Sequence, residues 1–108
     1  MNTNFDNAIK RVIEMSAIGG LTGTYDSNVI SLNFKVNDEF KLDVNEDTYR
    51  LSYITEINAS PQEVKFKKSD IKEVKHFIVG EFEPCECTEV VQFFFVDGSE
   101  LDFFQDIR

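Results

Sequence analysis

His76, Cys85 and Cys87 are the only histidine and cysteines in the 108-residue chain, and they fall within twelve positions of one another. Imidazole and thiolate are the ligands that zinc prefers in tetrahedral sites, and Glu83, Glu86, Glu89 or Asp97 could add an oxygen. The spacing argues the other way. Cys-x-Cys is not the usual Cys-x-x-Cys knuckle, and an extended strand would carry His76 far from Cys85 at about 3.3 Å per residue. Zinc at His76, Cys85 and Cys87 is the one metal site the sequence offers. The plainer reading is two ordinary thiols and an ordinary histidine.

Other chemistry has less support. Any Ser-His or Cys-His nucleophile must use His76, and neither cysteine sits in a recognisable nucleophile context. Gly19-Gly20-Leu21-Thr22-Gly23 is glycine-rich but follows a helix and precedes a strand. A phosphate loop needs the reverse order, because the helix N-terminus holds the anion. The expectation is a protein that is not an enzyme.

Charge is the most distinctive feature. The formal net charge is −9. From Pro61 to Ile78 there are five lysines (65, 67, 68, 72, 75) and three acids, and from Val79 to Ile107 there are eight acids and no lysine or arginine. Such a chain repels nucleic-acid phosphates and anionic membranes and suits a basic protein surface. The candidate partner-binding residues are the acids around Pro84 (Glu81, Glu83, Glu86 and Glu89), with Phe94, Glu100, Asp102 and Phe104 in the last hairpin.

These residues need a frame to position them. The length fits one domain, residues 1–108, large enough to fold without disulfides or metal. Phe5, Ala8, Ile9, Val12 and Ile13 recur at three- and four-residue spacing and predict a helix. Thr3 or Asn4 would cap it, Asp6 lies in its first turn, and Gly19-Gly20 would end it. After Gly20 the period becomes two, with Ile30, Leu32, Phe34 and Val36, then Phe40, Leu42 and Val44, then Tyr49, Leu51 and Tyr53. Short loops favour antiparallel neighbours. A loop at 37–39 would set Phe34 opposite Leu42, and a loop at 45–48 would set Leu42 opposite Leu51.

A turn follows at Asn58 to Gln62, then a short strand at Val64 and Phe66. The stretch after it has two readings: Ser69 caps a short helix bearing Ile71, Val74 and Ile78, or, as the favoured one, a turn near Ser69-Asp70 leads to a strand from about Glu73 to Phe82 with Val74, His76, Ile78 and Gly80 on one face. Asp97-Gly98 marks a hairpin. A loop of Val96, Asp97 and Gly98, with Gly98 as a bulge glycine, sets Phe93 across from Leu101 and Val91 across from Phe103. Phe94 and Phe104 then point to the opposite face, which must be covered by the helix or by a partner. The predicted fold is α+β: one N-terminal helix packed on a six- or seven-stranded antiparallel, meander-like sheet.

The longest strictly apolar run is Phe93 to Val96, far short of a membrane span of roughly 18 residues. Lys10 and Arg11 interrupt the N-terminal apolar positions, so no signal-peptide core is present. The expected compartment is the cytoplasm.

In size, acidity and lack of a catalytic motif the chain resembles the small acidic inhibitors of phages and mobile elements, such as anti-CRISPR proteins and other nucleic-acid mimics. It also resembles the acidic immunity proteins that neutralise nuclease toxins. Either resemblance implies a carboxylate-bearing surface that occupies the basic nucleic-acid site of a nuclease effector. The remaining alternative is a small zinc-stabilised interaction module.

Overall fold

The computed structural model describes residues 4–18, 20–29, 31–36, 41–43, 48–54, 62–80 and 87–107. It has one helix, α1 (Phe5–Ile18), and eight strands: β1 (Thr22–Asp26), β2 (Ser31–Val36), β3 (Lys41–Asp43), β4 (Thr48–Ile54), β5 (Gln62–Lys67), β6 (Ile71–Val79), β7 (Cys87–Phe95) and β8 (Glu100–Ile107). The fold is α+β, as the residue pattern predicts.

Asn4 caps the helix, its Oδ1 accepting the Asn7 amide at 2.8 Å. This satisfies one of the four amides that a helix start leaves without a partner. Phe5, Ala8, Ile9, Val12 and Met15 form the buried stripe. Gly20 follows the helix at φ 73°, a conformation that glycine takes without steric cost. Asp6 of the first turn meets Lys68 at 3.3 Å, and Lys68 Nζ also lies 5.8 Å from the Phe5 ring centre.

All strand pairings are antiparallel, in the order β3-β4-β2-β1-β8-β7-β6, with β5 on β4. Four strands separate β5 from β7 in this ladder, yet Phe66 of β5 stands 5.6 Å from the Phe95 ring of β7. The sheet therefore curls, and its concave side closes on an aromatic core. Phe66 stacks on Tyr49, Phe5 meets both Tyr49 and Phe93 edge-on, and Phe103 meets Phe93 and Phe34 edge-on. Helix α1 closes this side. Phe93 and Phe103 are fully buried, each worth roughly 2–3 kcal/mol of apolar transfer.

The C-terminal hairpin has the predicted register, Phe93 opposite Leu101 and Val91 opposite Phe103. Phe95 donates its amide to the Ser99 carbonyl, Gly98 donates to the Phe95 carbonyl, and Gly98 has φ 93°. Asp97 braces the turn by accepting the Ser99 amide at 2.8 Å, and its contacts with Ser99 hold its carboxyl below the usual range. The turn at Lys68–Asp70 and the strand after it also match the pattern, although β6 ends at Val79.

Three expectations need correction. Strand β1, which the sequence did not reveal, lies at the centre of the sheet between β2 and β8. Strand β2 pairs with β4 rather than β3, with Lys35 opposite Ile54. Strand β3 does pair with β4, but Leu42 is opposite Tyr49 rather than Leu51, because the register sets Asp43 opposite Thr48. The turn expected at Asn58 to Gln62 lies almost entirely outside the described residues.

Candidate functional site

Side chains alternate across a strand, so the register divides the sheet into two faces. Val91, Phe93, Leu101 and Phe103 face the helix. The opposite, convex face carries Thr88, Val90, Gln92 and Phe94 of β7 and Glu100, Asp102, Phe104 and Asp106 of β8. Thr22, Thr24 and Asp26 of β1 adjoin β8, and Glu73, Lys75, Phe77 and Val79 of β6 adjoin β7. This face is unevenly exposed: Val90 and Asp102 are buried, Gln92, Phe94, Glu100 and Phe104 are half-buried, and Asp26, Lys75 and Asp106 are exposed. It is where Phe94, Glu100, Asp102 and Phe104, four of the expected binding residues, come together.

The face has two halves. Toward one end, Phe104, Val90 and Phe77 lie in a row across three strands, with Val79 next to them. Phe77 and Val79 are 39% and 46% exposed. Toward the other end, Asp26 pairs with Glu100 across β1 and β8, and Asp102 follows one pair inward, opposite Thr24 and Gln92. Lys75 Nζ sits 5.2 Å from the Phe94 ring centre, a cation–π contact at the border of the acidic half.

Asp102 is the unusual member of the cluster. It is 7% exposed, flanked along β8 by Glu100 and Phe104, and its Oδ1 has no hydrogen-bond partner among the described residues. A buried polar atom without a partner is uncommon and costs free energy. Burial first, then the neighbouring Glu100, push the Asp102 carboxyl up to about 7; a hydrogen bond from Gln92 opposes the rise and Asp26 adds to it. Asp26 itself accepts a hydrogen bond from the Ser31 hydroxyl at 2.6 Å. The acidic half therefore holds like charges close together in a partly dry setting.

Glu89 lies elsewhere and does different work. It belongs to the inward row with Val91 and Phe93, and its side chain is 5% exposed. Its two oxygens accept Arg11 Nε and Nη2 of the helix, each at 2.6 Å, and Oε2 also lies 2.6 Å from His76 Nε2. The Arg11 hydrogen bond, opposed by burial and helped by His76, holds the Glu89 carboxyl below its ordinary value. Glu89 is thus a buried clamp between helix and sheet, not part of a partner-binding surface. Glu81, Glu83 and Glu86 lie outside the described residues.

The metal candidates do not converge. His76 is opposite Val91, four residues along β7 from Cys87 and so about 13 Å away along the strand. His76 is engaged by Glu89, and Cys87 Sγ donates to the Gly80 carbonyl at 3.4 Å. Cys85 lies outside the described residues. Among the described residues no group of three or more His, Cys, Asp and Glu is arranged to hold a metal ion. No helix among them is long and apolar enough to cross a membrane.

The Arg11–Glu89–His76 cluster was missed because Glu89 was grouped with the acids around Pro84. The available signal was its place, two residues before Val91, on the inward row. The contribution of Asp26 was missed together with β1. No protein-family model, curated protein or solved structure matches this chain.

Proposed function

We propose that the protein is a non-enzymatic inhibitor of the anti-CRISPR type, which docks its convex sheet face on the basic nucleic-acid-binding surface of a nuclease effector and blocks it. The observation that carries this reading is the convex face itself, where Asp26, Glu100, Asp102 and Asp106 stand beside Phe94 and Phe104. Complementary charge speeds encounter and fixes register, while aromatic side chains supply contact area. The partner is a protein; neither nucleic acid nor membrane suits a face of this sign.

A nuclease toxin presents the same kind of basic groove, so an immunity protein would use the same face against a different enzyme. The sole histidine supports a non-catalytic role, since its Nε2 meets Glu89 rather than a serine or cysteine. Zinc stabilisation has weaker support, because His76 and Cys87 are apart.

The test is a triple charge reversal, Asp26→Lys, Glu100→Lys and Asp106→Lys, at positions that are exposed or half-buried. Wild-type protein added to a lysate of its native host should retain a basic nuclease, release it at moderate salt and inhibit it when purified. The folded triple variant should do none of these. Equal, salt-insensitive retention by both proteins would overturn the proposal.

A further inference from the structure

Asp102 invites a question that general acidity does not answer: what its unpartnered oxygen is for. The carboxyl sits in the middle of the face, nine-tenths buried, with Oδ1 unsatisfied. Gln92 and Glu100, both half-buried beside it, meet each other at 3.5 Å, the outer limit of a hydrogen bond. That contact is easily opened. Thr24 and Asp26 border the group on β1, and the Phe94 and Phe104 rings border it on β7 and β8.

We propose that Asp102, with Glu100 and Asp26 beside it, is the seat for one arginine of the partner protein. This rests on the convex face being the docking surface, and it names the anchor. A guanidinium is planar, weakly hydrated and able to bind a carboxylate through two parallel N–H bonds, and it stacks on aromatic rings. A site of clustered carboxylates walled by Phe94 and Phe104 suits it better than a compact, strongly hydrated ammonium. Lys75, already over the Phe94 ring, shows that this border accommodates a cation. The incoming guanidinium would displace Gln92 from Glu100 and give Asp102 Oδ1 the donor it lacks.

A proton is coupled to this event. The charged and titratable groups on the face of Asp102 are Glu100 and, farther along, Asp106 on β8, Asp26 on β1, and Lys75 and Glu73 on β6 beyond the neutral Gln92 of β7, with Lys35 at the far side on β2. Asp102 is raised to about 7, so near neutrality part of the population carries its proton. A cation binds the ionised form, so seating arginine expels that proton, and affinity rises with pH through neutrality. His76 lies on the opposite face.

Nona-arginine peptide is the probe, with nona-lysine as comparison, measured by calorimetry at pH 6 and 8. At pH 8, Asp102→Asn should weaken nona-arginine binding by ~10-fold or more, the worth of a charge-assisted hydrogen bond. Asp6→Asn, which removes the same charge from an exposed position on the helix, outside the convex face, should cost under ~3-fold. Wild-type affinity should rise from pH 6 to pH 8, and the Asp102→Asn variant should lose that rise. Carbon NMR of the wild-type carboxyls needs no variant: the Asp102 midpoint should fall when nona-arginine is added.

Equal effects of Asp102→Asn and Asp6→Asn, with an unmoved Asp102 midpoint, would overturn the seat. If the triple reversal still abolished binding, the docking face would survive that result. If nona-arginine bound the triple variant as well as wild type, the docking face would fall with it. Calcium shifting the Asp102 midpoint as strongly as nona-arginine would overturn arginine in favour of a metal.

Discussion

Replacing Asp102 by asparagine should stabilise the protein, and only at higher pH. The side chain keeps its size and loses its charge. The folded carboxyl is raised to about 7 from an ordinary 3.8. Between those values the folded chain holds a proton that the unfolded chain has released, so stability falls as pH rises, and the whole penalty is present above about pH 7. That gap corresponds to about 4 kcal/mol. Water reaches half-buried Glu100 and exposed Asp26, and this screening roughly halves the figure, to about 2 kcal/mol.

Urea unfolding of wild type and Asp102→Asn at pH 4 and pH 8 reads the difference. The variant should match wild type near pH 4 and exceed it by about 2 kcal/mol at pH 8, with a melting temperature higher by roughly 8 °C. A variant less stable than wild type at pH 8, or a gap that does not depend on pH, would refute the reasoning.

Glu89→Ala should cost about 2–3 kcal/mol at pH 7 in urea unfolding, because it strands Arg11 and His76 at the helix–sheet contact. The Glu89 carboxyl is held below its ordinary 4.5. Its contribution is therefore present above that value and lost as pH falls through the lower folded one, so wild type and Glu89→Ala should converge in acid. Gly23→Ala should destabilise by about 2 kcal/mol or more, since a Cβ would stand 2.5 Å from the Phe34 ring and 2.8 Å from the Asp102 carbonyl oxygen. A thermal melt unchanged by that substitution would contradict the packing of β1 against β2 and β8.

The helix and the last hairpin were legible because each carries two agreeing signals. Asn4 and the Phe5-to-Val12 stripe mark one, and Asp97-Gly98 with the Phe93–Leu101 alternation marks the other. β1 was hidden because one of its inward positions is Gly23. The Phe34 ring needs that place empty, so the strand lacks the apolar alternation that would announce it. The β2 error came from joining neighbours in sequence, when β4 lies next to β2 and carries β3 on its other side. Part of the candidate site could be read in advance, since Phe94, Glu100, Asp102 and Phe104 follow from the hairpin register. Asp26 could not, because it arrives on the unseen strand, and Glu89 belongs on the other face because its period-two position points inward to Arg11.

Carbodiimide labelling of carboxyls, in the free protein and in complex with the nuclease retained from the native host, tests the docking face most directly. Asp26, Glu100 and Asp106 on the convex face should lose labelling in the complex, while Asp6 and Glu14 on the helix keep theirs. Protection of Asp6 and Glu14 with Asp26, Glu100 and Asp106 unchanged would place the partner on the helix side and contradict the account.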